Sequence, residues 1–357
     1  MEGGERIEMS TQLIDKFLTE FENDINSRRQ GSKASFSKAA QPLLTTVMDS
    51  TALRRQLADK FINLVVDESK LLQMASVRRV NAPSGDLTKL NINTHVTRKA
   101  TENTAASETR RPTSTGLTYT TVKSVSLLDV TGEWTEDNIE GPSGRNTVVK
   151  AFTDTIANDM ETLAIEGDDS EAGTDDYSSL IKINDGWHVL TGSGTGTNLV
   201  NCGGLRPSFQ LLSDMLKSMP TKYKSGREKL TWLMSWGSAQ ALVDEFAGRV
   251  TAFGDQIRQT GSVPAILGIP VTIVPKIPED LTLVGTAGTT GSFIWLCDPK
   301  NFIFVVQRDF KAEWERQPRS DTDELTIHMR TDFLVENTSA VVKATDVSVY
   351  QEHSFYS

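Results

Sequence analysis

The stretch TVVKAFTDTIANDMETLAIEGDD, residues 147–169, decides the fold. Its apolar residues recur at steps of three and four, which predicts a helix with one continuous apolar face. From Arg145 to Glu166 the helix would be roughly 33 Å long, since each residue rises about 1.5 Å, and Gly167 is placed to end it. Such a helix needs a long surface, so we expect it to lie along a sheet in an elongated domain. The expected buried face carries Val148, Phe152, Ile156, Met160 and Leu163, and the polar face Lys150, Asp154, Asn158 and Glu161.

Two segments that precede this helix predict a long hairpin. DLTKLNINTHV and GLTYTTVKSVSLLDV both alternate apolar with polar residues, as half-buried strands do. The residues that join them, from Thr97 to Gly116, include no large aliphatic or aromatic side chain. Ordering each backbone residue costs about 1–2 kcal/mol, which this segment cannot offset with apolar area of its own. Two interpretations stay open: the segment is disordered, or it lies across another chain.

The N-terminal part of the chain reverses the local charge. Amphipathic helices are predicted in MSTQLIDKFLTEFENDI and in STALRRQLADKFINLVV. Between Ile25 and Met48 there is no acidic residue, although the protein as a whole is acidic. We expect either a solvated linker or an arm that docks on an acidic neighbour or faces nucleic acid. The basic residues of this segment are Arg28, Arg29, Lys33 and Lys38.

The last third of the chain is predicted to be mostly strands, joined by Gly, Pro and Asp. A helix over LRPSFQLLSDMLKSMP, a buried strand KLTWLMS and a short helix over SAQALVDEFAGR come before them. The strand segments then follow in quick succession, and consecutive strands with short turns are expected to pair antiparallel. The fold class is therefore α+β. The strand segments are GIPVTIVP, SFIWLC, FIFVVQR, FKAEWERQ, ELTIHMRTDFLVE and SAVVKATDV.

Composition excludes several classes of function. The formal net charge is −10, so a primary role in gripping a phosphate backbone is disfavoured. The two cysteines, Cys202 and Cys297, fit no metal-ligand spacing and no disulfide framework, which favours a reducing compartment. The N-terminus lacks the apolar core of a signal peptide, and the longest apolar runs are far shorter than the roughly 20 residues of a membrane span. We therefore expect a protein that is not embedded in a membrane.

Motifs for catalysis or cofactor binding are absent from the sequence. No phosphate-binding loop, H-E-x-x-H or G-x-S-x-G pattern occurs, and TGSGTGTN and GTAGTTGS do not fit G-x-G-x-x-G. We assign no catalytic residue, no cofactor and no metal. The four histidines are scattered, and His328, on an alternating strand, is expected to be structural.

Two further groups are weighed in the same way. The acidic segment EGDDSEAGTDD resembles a calcium loop only faintly, because Ser179 stands where such a loop carries its bidentate glutamate. A solvated acidic turn is expected there. Trp232 and Trp236 could form a platform for a sugar or a base, but core or interface packing is the better interpretation.

Six stretches keep an order and a spacing that resemble one known family. They are EWTEDNIEG, TVVKAFTDTIANDMETLAIEGD, LLSDMLKSMPTKYKSGREKLTWLMS, LGIPVTIVPKIP, CDPKNFIFVVQRDFKAEWE and TDFLVENTSAVVKATDV. Together they span most of the chain, from about Asp67 to Val349. Their order is similar to that of the major capsid protein of tailed bacteriophages, which has the Hong Kong 97-type fold.

This resemblance implies an α+β capsid fold. It has an N-terminal arm, an extended β-hairpin loop, a long spine helix, a peripheral domain with an antiparallel sheet, and an axial α/β domain. The expected parts are the arm at 1–50, the peripheral domain at 51–85, 127–185 and 304–337 with the spine helix at 145–166, the extended loop at 86–126, and the axial domain at 186–303 and 338–357.

The resemblance also implies that the extended loop lies over a neighbouring subunit. Its tip carries Arg98, Lys99, Arg110 and Arg111, which suit an acidic surface on that neighbour. The acidic residues from Glu166 to Asp176 are one candidate target. Some family members join a loop lysine covalently to a neighbour's asparagine; Lys99 is a conceivable lysine, but its partners cannot be placed.

The implied function is a subunit that self-assembles into pentamers and hexamers of an icosahedral shell enclosing double-stranded DNA. Its expected partners are copies of itself, a scaffolding protein, a portal and a decoration protein, without sequence-specific DNA binding and without a membrane. The expected location is the virion capsid, after assembly in the host cytoplasm. Two alternatives stay open: a bacterial nanocompartment shell of the same fold, and a soluble enzyme with a site near His188 or His328.

Overall fold

The computed structural model describes most of the chain after residue 68. The described residues are 69–91, 113–131, 133, 144–192, 198–248, 257, 261, 265–282, 290–307, 311–317 and 319–349. Three predicted features lie outside the described residues. They are the two N-terminal helices, the tip of the hairpin, and the basic residues of the N-terminal segment and of that tip.

The described helices agree with the sequence patterns where those were strongest. The long helix, predicted from Arg145 to Glu166, runs from Gly144 to Glu166. The helices are α1 Lys70–Met74, α2 Gly144–Glu166, α3 Asp176–Ile181, α4 Trp187–Leu190, α5 Phe209–Ser218, α6 Thr221–Lys224 and α7 Trp236–Ala247. Within this described set, no helix is both long enough and apolar enough to cross a membrane.

The described strands form two large sheets and a two-stranded ribbon. They are β1 Ser76–Val80, β2 Ser84–Asn91, β3 Thr113–Thr120, β4 Val122–Thr131, β5 Asn198–Asn201, β6 Thr231–Met234, β7 Ala265–Ile266, β8 Ile269–Ile273, β9 Leu281–Thr282, β10 Thr290–Cys297, β11 Phe302–Gln307, β12 Lys311–Gln317, β13 Thr322–Val335 and β14 Val342–Ser348. Mixed helices and strands in these proportions confirm the α+β class.

The first sheet is built around β13, its longest strand. β4 pairs antiparallel with β13 along one side, in the register Thr131↔Thr322. β11 and β12 pair antiparallel with successive parts of the other side of β13, and β1 joins β11 in parallel. The helix α2 packs on one face of this sheet, which we call the inner face, and we call the opposite face the outer face.

The second sheet has the order β5–β14–β10–β6–β8–β7, with β9 also paired to β10. Its pairs β14–β5 and β6–β8 are parallel. The expectation that consecutive strands pair antiparallel is correct for β12 and β13 but wrong for β10 and β11, which belong to different sheets. The turn at Pro299–Asn301 carries the chain from β10 in the second sheet to β11 in the first. Side chains of both strands pack in one shared core between the sheets.

Three apolar clusters hold these layers together. The first lies among α1, α2, α4, the inner face of the first sheet and the near face of the second sheet. Trp187 joins them: its ring stacks on Phe302 at 4.8 Å between centroids, and its indole nitrogen donates to the Leu334 carbonyl oxygen at 3.2 Å. The second cluster packs α5 and α7 on the far face of the second sheet and includes Trp232. The third lies on the outer face of the first sheet.

One residue of α2 departs from the pattern. The sequence places Glu161 on the polar face of the helix, and this prediction is wrong, because Glu161 is 5% exposed. Its Oε1 accepts a hydrogen bond from the Leu71 amide at 3.0 Å. The short helix α1, which the sequence pattern did not predict, covers that side of α2. A carboxylate that satisfies a helix-start amide can be buried where an unpaired one could not.

Candidate assembly surfaces

The root of the β2–β3 ribbon is fixed to the outer face of the first sheet. The pairing of β2 with β3 confirms the predicted hairpin near its root, with registers from Ser84↔Thr120 to Asn91↔Thr113. The second predicted strand, 116–130, is wrong beyond Thr121, because the residues from Val122 onward form β4 and pair with β13 in the first sheet. Tyr119 is 7% exposed and fills the third cluster. Around it lie Val80, Ile303 and Val305, with Leu87, Leu117 and Leu334 packed against them.

Polar contacts fix the same root. Asp332 Oδ2 accepts a hydrogen bond from the Thr120 amide at 2.8 Å, and its Oδ1 accepts from the Asn184 side-chain amide at 3.1 Å. Burial raises the pKa of Asp332 although these donors favour its charged form. Farther along the ribbon, Lys89 Nζ and Glu336 Oε1 lie 3.2 Å apart. The ribbon therefore leaves its root at Thr120 and runs past Glu336.

The ribbon leads directly into the predicted basic tip. Because Asn91 pairs with Thr113, residues 92–112 connect the two strands beyond the last described pair. Arg98, Lys99, Arg110 and Arg111 belong to that connection, and their contacts lie outside the described residues. The N-terminal residues Arg28, Arg29, Lys33 and Lys38 lie outside them as well.

The acidic segment after α2 is an ordered loop and not only a solvated turn. Asp175 caps α3, accepting from the Ser178 hydroxyl at 2.6 Å. Glu171 Oε1 accepts from the amides of Ala172 and Gly173, at 3.0 and 2.9 Å. These local bonds fix several carboxylates at the C-terminal end of α2.

Gly167 connects α2 to this loop by close packing. A Cβ on Gly167 would lie 2.2 Å from the Asn184 carbonyl oxygen, and the Gly167 oxygen accepts from the Gly186 amide at 2.8 Å. Gly167 ends the helix as predicted, but the requirement for glycine comes from this close approach of two backbone segments.

Three carboxylates of this region converge: Asp168, Asp169 and Asp185. The charge of Asp185 raises the pKa of Asp169. Oxygen ligands of this kind suit a hard cation. However, Asp185 Oδ1 already accepts from the Asp169 amide and Asp168 Oδ1 from Ser170, so hydrogen bonds account for the arrangement and we assign no ion. The sequence missed Asp185 because it lies 16 residues beyond Asp169 and is brought back by α3.

The histidines considered for an enzyme site do not form one within the described residues. His188 packs on Phe293 at 4.4 Å between ring centroids, and burial together with the charge of Lys343 lowers its pKa to about 3. His328 lies on β13 in register with Val125 of β4. The remaining two, His95 and His353, fall outside the described part of the chain.

Lys343 is a buried charged group that no pattern in the sequence predicts. It lies on β14 and is 1% exposed. Its Nζ donates to the His188 carbonyl oxygen at 2.9 Å and lies 5.2 Å from the centre of the Phe293 ring. Burial lowers its pKa to about 7.

The two tryptophans that the sequence offered as a possible sugar or base platform lie in different environments. Trp232 is buried in the second cluster, whereas Trp236 is 64% exposed.

Comparison with known proteins identifies the family. The model of the phage capsid family matches residues 50–346, which is most of the chain. The protein is also 24% identical over 310 residues to the prophage capsid protein YqbE of Bacillus subtilis (strain 168), across 86% of this chain and 96% of that protein. The chain belongs to the phage capsid family.

Solved structures agree with this assignment at the level of the fold. A chain of the satellite phage P4 procapsid, which includes the size determination (Sid) protein, has a TM-score of 0.61 and 14% identity, covering 82% of this chain and 99% of that chain. The capsid of the native GTA particle gives a TM-score of 0.55 and 15% identity, covering 88% and 95%. The fold is therefore that of capsid shell proteins.

Proposed function

We propose that this protein is the major capsid protein of a tailed phage and assembles into pentamers and hexamers of an icosahedral shell around double-stranded DNA. The observation that carries the proposal is the β2–β3 ribbon. Its root is fixed by Tyr119 and Asp332, and the sequence that connects the two strands is rich in basic side chains and has no large apolar one from Thr97 to Pro112. A segment of that composition gains a stable position most readily from another chain.

The geometry of the ribbon favours a neighbour over its own subunit. The acidic loop lies beside the root, since Asn184 precedes Asp185 and contacts Asp332, the residue that holds Thr120. The last described pair of the ribbon is seven residues from Thr120, or about 23 Å away at about 3.3 Å per residue. The last described pair of the ribbon thus lies away from the acidic loop of its own subunit, and we propose that Arg98, Lys99, Arg110 and Arg111 contact the acidic loop of an adjacent copy.

The two large sheets support the proposed division into domains, in the Hong Kong 97-type arrangement. The first sheet and α2 would form the peripheral domain (51–85, 127–185 and 304–337). The second sheet with α5 and α7 would form the axial domain (186–303 and 338–357), and residues 86–126 the extended loop, of which the part from Val122 onward pairs within the first sheet. Residues 1–50 would be an arm in which Arg28, Arg29, Lys33 and Lys38 contact an acidic neighbour or DNA.

The acidic charge of the chain suits a wall that encloses DNA without holding it. At a net charge of −10, tight binding of phosphate is disfavoured, which would let packaged DNA move. A scaffolding protein, a portal and a decoration protein are proposed as partners, in a virion assembled in the host cytoplasm. The family match and the prophage relative support a phage shell over a nanocompartment.

Assembly of the purified protein tests the proposal. We expect sedimentation velocity and negative-stain microscopy to show closed particles when the protein is produced with its scaffolding protein. Charge reversal of the tip (R98E, K99E, R110E and R111E together) should leave the subunit folded by circular dichroism but reduce the yield of particles. Only monomers from the unaltered protein, with scaffold present, would contradict the proposal.

A further inference from the structure

An apolar strip is exposed on the outer face of the first sheet. Val125 is 54% exposed and Leu127 is 59% exposed, both on β4. Their neighbours in register on β13 are His328 and Thr326. On a sheet with one face in solvent, outward positions are normally polar, so two adjacent apolar ones are unusual.

The strip continues a face that is elsewhere covered. At the other end of the outer face, Tyr119 of the ribbon packs over Ile303 and Val305, together with Leu334 of β13. The outward residues of β13 therefore run from covered Leu334 to the uncovered stretch opposite Val125 and Leu127. No described element lies over that uncovered stretch.

Charges of opposite sign lie at the two ends of the strip. Lys123 of β4 is in register with Arg330 of β13, on one side of Val125. Asp129 is in register with Glu324, on the other side of Leu127. An apolar centre with a charged border is the usual composition of a protein–protein interface.

The order of these groups is self-complementary. A two-fold axis that lies in the plane of the interface and crosses the strands at right angles would bring the basic end of one copy over the acidic end of the other. The same axis would bring the two apolar centres together, which is an isologous contact.

We infer that this face, Lys123–Asp129 of β4 with its β13 partners, is a two-fold contact between two copies of the chain. The inference rests on the proposed function, because it names one contact of the shell. It commits to a second copy and not to a scaffold or a decoration protein, since the reversed charge order fits the face to itself.

Charge exchange tests the two-fold arrangement. K123E and D129K should each raise the critical protein concentration for particle assembly by roughly threefold or more, because a two-fold axis repeats each repulsion. The double variant K123E/D129K should return close to the unaltered value, since it exchanges the signs of the two β4 residues and so restores an opposite pair between residue 123 of one copy and residue 129 of the other. Both residues are exposed, so the fold should be unaffected.

The apolar centre has its own test. V125T/L127T keeps β propensity and should raise the critical concentration by roughly tenfold or more. The matched control is L199T, at an exposed leucine of β5 in the other sheet, which should leave it unchanged.

The outcomes separate the inference from the proposed function. Particles from the unaltered protein, together with normal assembly of V125T/L127T or an uncorrected defect in K123E/D129K, would overturn the two-fold contact and leave the shell function standing. An uncorrected defect would point instead to a different partner on this face. Failure of the unaltered protein to form particles would overturn both.

Discussion

Replacing Lys343 by methionine should remove a specific dependence of stability on pH. Burial lowers the pKa of Lys343 from 10.5 to about 7. Between those values the unfolded chain holds a proton that the folded chain has released, so the free energy of unfolding rises with pH. Below pH 7 both states are protonated, and the folded state carries the full cost of burying the charge.

The size of the effect follows from that difference. For a group with these two pKa values, the free energy of unfolding should rise by roughly 3 kcal/mol between pH 7 and pH 9.5. Lys343→Met retains the length of the side chain and abolishes this contribution. It also removes one of two donors to the His188 carbonyl oxygen, which keeps the Thr191 hydroxyl at 3.3 Å, at a cost of about 1 kcal/mol that does not vary with pH over this range.

Chemical denaturation of the dissociated subunit measures this directly. Unfolding by urea would be followed at pH 7 and pH 9.5 for both proteins, and the change with pH compared between them. Other groups titrate in both proteins and cancel in the comparison. Equal changes with pH in the two proteins would refute the assignment of Lys343 as a buried amine that folds neutral above pH 7.

Three further substitutions test other parts of the structure by denaturation. Glu161→Ala should destabilise the subunit by about 1–3 kcal/mol, since it leaves the buried Leu71 amide without an acceptor, whereas Glu161→Gln retains an acceptor and should cost less. Gly167→Ala should destabilise it by about 2 kcal/mol or more, because its Cβ would meet the Asn184 carbonyl oxygen; an unchanged midpoint would contradict that packing. Tyr119→Ala should cost about 3 kcal/mol and expose the ribbon root to proteolysis, and unchanged cleavage would show that the root is held otherwise.

The sequence predicted the elements whose patterns are local. The period of α2 appears in its own residues, and the alternation of β2 and β3 predicted a hairpin that the register confirms. The family was predicted from the order of several stretches, and the family match confirms it. These features depend on neighbours along the chain, so a single sequence is enough to predict them.

Features that depend on distant neighbours were missed. Glu161 has a polar side chain at a polar position of the helix pattern, and only the packing of α1 makes it buried. Cys297 and Phe302 are close in sequence, but their strands belong to different sheets. Both side chains nevertheless pack in the first cluster, which lies between the two sheets. Lys343 lies between Val342 and Ala344 on β14, and nothing near it in the sequence indicates that its amine is enclosed.

The candidate surfaces divide in the same way. The basic residues of the ribbon tip were chosen from composition, and their contacts remain a prediction. The convergence of Asp169 with Asp185, and the exposed face of Val125 and Leu127, required the register and the turn geometry that only the structure supplies.

A cryo-electron microscopy reconstruction of the assembled particle would show where residues 92–112 lie. It should show residues 92–112 lying on an adjacent copy, with Arg98, Lys99, Arg110 and Arg111 close to that copy's acidic loop. A map in which those residues fold back onto their own subunit, with no contact to a neighbour, would contradict the account.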